Sequence, residues 1–159
     1  MHQQDNNRPK ACVVIPTYNE EDNIEKTLLQ VLEVKKTIKP YNLLVLVVDD
    51  NSPDDTQNII KKLMELSDDI HMITGAKVGL GDAYTRGFSY ALKKWNPSLI
   101  IQMDADGQHD PFVIQKFINL AINGKELIIG SRFIEGRSTP NFSNWRRFIS
   151  LFCNFLVRY

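Results

Sequence analysis

The sequence predicts an α/β fold in which a mostly parallel sheet is covered by helices on both faces, and three observations lead there. Short runs of Val, Leu and Ile alternate with longer stretches whose apolar residues recur every three or four positions. The short runs hold almost no polar residue, as strands buried on both faces do. Strand and helix candidates alternate along all 159 residues, the order that repeated β-α units produce.

Each element has its own signal. Ala11 to Ile15 is an apolar strand closed by Pro16. From Glu20 to about Lys36, Ile24, Leu28, Val31 and Leu32 fall at helical spacing. Leu43 to Val48 is an unbroken strand run ending at Asp49 and Asp50, and Pro53 to Leu66 is a helix with Ile59, Ile60, Leu63 and Met64 on one face. A short strand over Ile70 to Thr74 precedes a third helix over Leu80 to Trp95. Leu99 to Met103 is a strand ending at Asp104, and Asp110 and Pro111 open the next helix as N-cap and first helical residue. A fifth strand is expected at Leu127 to Ile129, before Gly130, Ser131 and Arg132.

Residues 1–10 are polar and read as a disordered tail; residues 11–159 read as one domain, with no internal repeat or linker. Apolar residues make up 43% and charged residues 24%, values of a globular chain rather than a disordered one. Nineteen basic residues balance nineteen acidic ones, which gives no reason to expect nucleic acid as a partner. Cys12 and Cys153 lie in apolar runs without metal-type spacing and read as buried thiols, in keeping with a reducing compartment. No run reaches the ~18–20 apolar residues a bilayer span needs, and the N-terminus lacks a secretory core. The chain is therefore expected to be non-spanning and cytoplasmic.

Ligands of such sheets sit beyond the carboxyl ends of the strands. Here those ends are Pro16-Thr17-Tyr18-Asn19-Glu20, Asp49-Asp50-Asn51-Ser52, Asp104-Ala105-Asp106 and Gly130-Ser131-Arg132, so polar and acidic groups gather on one edge. Asp104 and Asp106 are two apart, and along an extended chain they share a face, with Gln108 as a possible third. Two such carboxylates resist joint ionisation unless a cation lies between them, and an all-oxygen set suits Mg²⁺ or Mn²⁺, ions that complete their shell with substrate phosphates. His109 is a further candidate ligand if the ion is Mn²⁺. The bland alternative is an acidic turn that caps the next helix.

Asp50 is placed to accept from a ribose hydroxyl or a base, with helix capping assigned to Ser52 or Asp54. Tyr18 can pack on a base, and Glu20 can bind it or favour the helix start. Lys77, before Gly79 and Gly81, can meet a phosphate, although an ordinary tight loop explains those glycines as well. Arg132, Arg137, Arg146 and Arg147 can hold a second anionic substrate; for Arg137 a solvated surface role is preferred. No Gly-x-Gly-x-x-Gly and no P-loop follows the first strand, which argues against a dinucleotide oxidoreductase or a P-loop NTPase.

Taken in order, Val13-Val14-Ile15-Pro16-Thr17-Tyr18-Asn19-Glu20, Val48-Asp49-Asp50-Asn51-Ser52-Pro53-Asp54, Lys77-Val78-Gly79-Leu80-Gly81, Met103-Asp104-Ala105-Asp106-Gly107-Gln108-His109 and Gly130-Ser131-Arg132-Phe133 resemble glycosyltransferase family 2 enzymes of GT-A fold, most of all the dolichol- and polyprenol-phosphate mannosyltransferases. The resemblance implies that Pro16, Tyr18, Glu20 and Asp50 bind nucleotide, joined by Lys77 and Asp104. It implies a metal site at Asp104, Asp106 and Gln108. Arg132 and Arg146 would hold the lipid phosphate, with Asp106 beside them in the catalytic set. The segment from Asn141 to Ser150 is similar to the polyprenol-phosphate branch in particular. Arg137, where glycine is common, and Leu151-Phe152-Cys153-Asn154 depart from the pattern, and such enzymes run on beyond the position of Tyr159.

The implied activity is inverting transfer of mannose from GDP-mannose to polyprenyl or dolichyl phosphate, with Mg²⁺ or Mn²⁺. The apolar run from Phe148 to Val157 would then lie at the membrane surface or pack on the sheet. Alternatives are a nucleotide-sugar-binding module without turnover and a family 2 transferase using UDP-sugars. A sugar nucleotidyltransferase would carry a glycine-rich basic loop after the first strand, and none is there. A transferase acting on glycan hydroxyls would need a catalytic carboxylate, for which Glu135 is the nearby candidate.

Overall fold

A computed structural model describes residues 8–130 of the protein. Its elements are β1 (Lys10–Thr17), α1 (Ile24–Thr37), β2 (Asn42–Asp49), α2 (Thr56–Leu66), β3 (Ile70–Thr74), α3 (Leu80–Trp95), β4 (Leu99–Gln102) and α4 (Val113–Ile122). All strand pairs are parallel, in the order β3-β2-β1-β4, and β1 pairs in register from Lys10↔Asn42 to Thr17↔Asp49 and from Ala11↔Leu99 to Val14↔Gln102. Strand order reverses at β1, whose neighbours are β2 on one side and β4 on the other. A crevice therefore opens beyond the carboxyl ends of these three strands.

Alternation along β1 and β2 builds two cores. Ala11, Val13, Ile15, Leu43, Val45 and Val47 face the layer of α1, α2 and α4, where Ile24, Leu28, Val31, Ile60, Leu63, Ile114 and Ile118 are buried. Cys12, Val14, Leu46 and Val48 face α3 through Ala83 and Ala91, with Tyr84, Phe88 and Trp95 packed around them. Burial pushes the Cys12 thiol up to about 12, so it packs as a small apolar group and has no thiolate character at neutral pH. Gly87 lets α3 approach the sheet: a Cβ there would lie 2.5 Å from Val14 Cγ1 and 2.8 Å from Val48 Cγ2.

Several boundaries differ from the sequence expectation. Pro16 does not close β1, which runs on to Thr17. The polar groups of Val14 face β4, since Val14 O accepts from Met103 N, and those of Thr17 face β2, since its O accepts from Asp50 N. Pro16 therefore turns its missing N–H toward the β4 side, past the end of β4, where no ladder bond is lost. Order also starts earlier than residue 11: Lys10 is in β1, and Asn42 N donates to Pro9 O at 2.9 Å.

The fifth strand is not formed. Leu127 to Ile129 has no regular structure, and Leu127 and Ile129 are 82% and 78% exposed. A run of three apolar residues needs a paired neighbour and a buried face to be a strand, and it has neither among the described residues. The chain divides there, residues to Glu126 forming one unit and those from Leu127 a second. Among the described residues no helix is long and apolar enough to cross a membrane.

Candidate active site

The ends of β1 and β2 are laced together by side chains. Asp49 is fully buried and accepts four hydrogen bonds, from Thr17 Oγ1 (3.0 Å), Ser52 Oγ (2.6 Å), Ser52 N (2.9 Å) and Gln57 Nε2 (2.7 Å). Ser52 Oγ in turn accepts from Asn19 N (3.0 Å), Thr56 Oγ1 from Glu20 N (2.9 Å), and Asp54 Oδ2 from Glu21 N (3.3 Å). Glu21 returns a bond by accepting from Asp55 N (2.9 Å). Asn19 and Asn51 take positive φ, 58° and 55°, and so turn each chain sharply off its strand.

Of the two candidate capping residues, Ser52 serves the loop lattice, and Asp54 Oδ1 accepts from Thr56 N (3.2 Å) at the entry to α2. Burial is the largest single effect on the Asp54 carboxyl and raises its pKa, but the hydrogen bonds from the Thr56 hydroxyl and from the backbone N–H groups of Thr56 and Glu21 together outweigh it and hold the pKa below the usual range. The lattice uses up Thr17, Glu21, Asp49, Ser52, Asp54 and Thr56. It leaves Tyr18, Glu20 and Asp50 to face the crevice.

There they line a cavity of about 320 Å³ together with Pro16, Thr17, Lys77, Gly79, Leu80, Ala83, Asp104, Ala105 and Asp106. The structure therefore brings together Pro16, Tyr18, Glu20, Asp50, Lys77, Asp104 and Asp106, seven of the residues singled out in the sequence. Lys77 Nζ lies 3.3 Å from the centroid of the Tyr18 ring, a cation–π contact that makes the two side chains one wall. Gln108 does not reach the cavity lining: it is exposed, and its backbone N–H donates to Asp106 Oδ1 (2.9 Å). Arg132 and Arg146 lie outside the described residues, as do Arg137, Arg147, Glu135 and Cys153.

Two residues that the sequence reading passed over hold the cleft carboxylates. Arg86 on α3 ion-pairs with Asp50 through Nη2 and with Asp82 through Nε (2.7 Å). Burial works against its charge, but the hydrogen bonds to Asp82 and Asp50 outweigh that and raise its pKa. Tyr84, two residues earlier, donates its hydroxyl to Asp104 Oδ1 at 2.7 Å. Burial foremost, then this hydrogen bond and the charges of Asp104 and Asp106, raise the Tyr84 pKa well above the phenol range. It is a neutral donor at any physiological pH.

His109 is not available as a ligand in this arrangement. Its Nδ1 accepts from Asp104 N (3.0 Å), so a neutral ring carries its proton on Nε2, which stands 3.8 Å from Asp104 Oδ2. Among the described residues no group of three His, Cys, Asp or Glu is arranged to hold an ion. What remains is a pair: Asp104 and Asp106 face the cavity while Ala105 between them is buried, its carbonyl accepting from Thr27 Oγ1 at 3.3 Å. Neither carboxylate meets a lysine or arginine among the described residues. Two acid groups of this kind suit a hard cation that takes its other ligands from phosphate and water.

A family model for glycosyl transferase family 2 matches residues 12–157. The chain belongs to this family. Its relatives include a dolichol-phosphate mannosyltransferase of Pyrococcus furiosus, 38% identical over 89% of this chain, and a polyprenol monophosphomannose synthase of Mycolicibacterium smegmatis, 34% identical over 88%. The matches cover 38% and 51% of those proteins, so the chain spans about half their length or less. Among solved structures, S. aureus TarS in complex with UDP-GlcNAc is 26% identical with a TM-score of 0.59, over 82% of this chain and 37% of that one. The fold of the family 2 chain is accordingly the GT-A fold, with its parallel sheet and helices on both faces.

Proposed function

We propose that this family 2 chain binds a nucleotide sugar in the cleft at the strand ends and transfers the sugar, with inversion, to a polyprenyl or dolichyl phosphate. The observation that carries the reading is the convergence of Tyr18, Glu20, Asp50 and Lys77 with Asp104 and Asp106 around one cavity. Tyr18 offers a ring face to a base, and Asp50 and Glu20 offer acceptors for base or ribose donors. Asp104 and Asp106 would hold Mg²⁺ or Mn²⁺, which when bound neutralises charge on the departing diphosphate. Mannose as the sugar and a lipid phosphate as the acceptor are supported by the likeness to dolichol- and polyprenol-phosphate mannosyltransferases, and GDP as the carrier is part of the proposal.

The acceptor needs no strong base. A phosphate monoester has its second pKa near ~6 and is largely dianionic at neutral pH, so its oxygen attacks the anomeric carbon directly as the diphosphate leaves. Arg132 and Arg146 are assigned to orient that phosphate, and residues 11–159 to one catalytic domain acting at the cytoplasmic surface of a membrane. A second reading, a UDP-sugar donor, is favoured by the likeness to TarS, which binds UDP-GlcNAc.

Calorimetric titration of GDP and UDP with Mn²⁺, followed by transfer of radiolabelled mannose from GDP-mannose to a short polyprenyl phosphate, tests the reading. Asp106→Ala is expected to abolish the metal-dependent part of nucleotide binding. Unchanged GDP–Mn²⁺ affinity in that variant would refute the assignment of the cleft. Binding without transfer would leave a nucleotide-sugar module that lacks turnover.

A further inference from the structure

Helix α3 packs on the opposite face of the sheet from α1, α2 and α4, yet two of its side chains end at cleft carboxylates that belong to different strands. Arg86 reaches Asp50 beyond β2, and Tyr84 reaches Asp104 beyond β4, with β1 lying between those strands. Each contact takes Oδ1 and leaves Oδ2 without a hydrogen bond among the described residues, so each acid is oriented with one oxygen still free to accept.

Three features show that this geometry is built in. Gly87 brings α3 close to Val14 and Val48, close enough for both side chains to reach their carboxylates. Gly75 makes room for the guanidinium, since a Cβ there would overlap Arg86 Nη1. That Nη1 is itself buried without a partner among the described residues. Arg86 is thus held where the carboxylates Asp50 and Asp82 need it, at the expense of its own remaining hydrogen bonds.

We propose that α3 is the positioning element of the cleft, Arg86 setting Asp50 at the nucleoside end and Tyr84 setting Asp104 at the metal end. The inference rests on the nucleotide-sugar reading above. It adds that the two ends are tuned separately from one helix, so that their perturbations separate as well. Neither residue touches the reacting atoms; each acts through a carboxylate.

The test is calorimetry on the 159-residue chain with GDP as probe, without metal and with Mn²⁺, and with Mn²⁺ titrated at saturating GDP. Tyr84→Phe, which removes one hydroxyl, is expected to weaken Mn²⁺ binding on the order of tenfold, the usual cost of losing a partner of a metal ligand, and to leave metal-free GDP affinity unchanged. Arg86→Met is expected to weaken GDP about tenfold both with and without metal, the equivalent of one lost charged hydrogen bond, and Arg86→Lys to recover part of it. Gly75→Ala should reproduce the Arg86→Met pattern from outside the cavity, which keeps the proposal testable if Arg86→Met does not fold. Unchanged Mn²⁺ affinity in Tyr84→Phe overturns the proposal, as does an equal loss of both affinities in both variants. A parent chain that binds neither GDP nor UDP with Mn²⁺ removes the nucleotide-sugar reading, and the proposal with it.

Discussion

Gly87→Ala sets two effects of known size against each other. In a helix interior, alanine is favoured over glycine by roughly 1 kcal/mol. Against this, the new Cβ would stand 2.5 Å from Val14 Cγ1 and 2.8 Å from Val48 Cγ2, both closer than real Cβ contacts come. Val14 and Val48 are β-branched, fully buried and held in the centre of the sheet, so neither can swing aside. Overpacking costs about 1–3 kcal/mol, and two rigid contacts under 3.0 Å place this site in the upper part of that range, at about 2–3 kcal/mol. The steric effect wins, and the net loss is about 1–2 kcal/mol, which for a chain of this size lowers the melting temperature by roughly 2–8 °C. Gly81→Ala in the same helix is the matched control, because a Cβ there meets nothing within 4 Å. Thermal unfolding followed by circular dichroism should show Gly87→Ala below the parent and Gly81→Ala at or above it. If Gly87→Ala melts at or above the parent, the close approach of α3 to the sheet is wrong, and with it the reach of Tyr84 and Arg86.

Asp49→Ala removes the shared acceptor of Thr17, Ser52 and Gln57 and is expected to cost on the order of 3 kcal/mol, read from urea denaturation; a loss below about 1 kcal/mol would show that the loop lattice is not the tie between β1 and β2. Tyr84 has a folded pKa above its unfolded value of ~10, so its contribution to stability is complete below that pH and is lost as pH rises from there toward the folded value. In a spectroscopic alkaline titration, Tyr84→Phe should remove absorbance change only from the latest part of the curve, and Asp104→Asn should bring that part earlier; loss of an early step in Tyr84→Phe would contradict the Tyr84–Asp104 bond.

The elements most legible in the sequence were those whose signals were local. Ile70–Thr74 and Leu80–Trp95 have the bounds that periodicity alone predicts, because turn residues flank both. The ends that moved were decided by tertiary contacts. Helix α1 starts at Ile24 and not at Glu20, since Glu20 and Glu21 donate their backbone N–H groups to Thr56 and Asp54 across the neighbouring loop. Pro16 reads as a strand end until the register shows which way its missing donor points. In the site, the cleft-facing acids were legible because they follow apolar runs directly. Arg86 was not: Asp82 and Arg86 stand four apart, the spacing of an ordinary exposed helix pair, and only the packing of α3 turns that pair toward Asp50. One signal did exist, the small residues Ala83, Gly87 and Ala91 at helical spacing, which mark a helix pressed against its sheet.

The charge of the cleft bears on its proposed ion dependence. Among the described residues, four carboxylates, Glu20, Asp50, Asp104 and Asp106, line the cavity against one ammonium, Lys77. Arg86 is committed to Asp50 and Asp82, and so compensates carboxylates rather than an incoming phosphate. The N-terminus of α3, where Gly79 and Leu80 line the cavity without a side-chain cap, offers a diphosphate about 0.3–1 kcal/mol. A unit charge at ~4 Å near a protein surface is worth about 4 kcal/mol, so the two carboxylates Asp104 and Asp106 would repel a bare phosphate more strongly than Lys77 and the helix end attract it. The same two acids that disfavour a bare diphosphate favour one that arrives with a divalent cation. The proposed preference for a metal-bound donor is thus supported by a pair of acids that meets no lysine or arginine among the described residues.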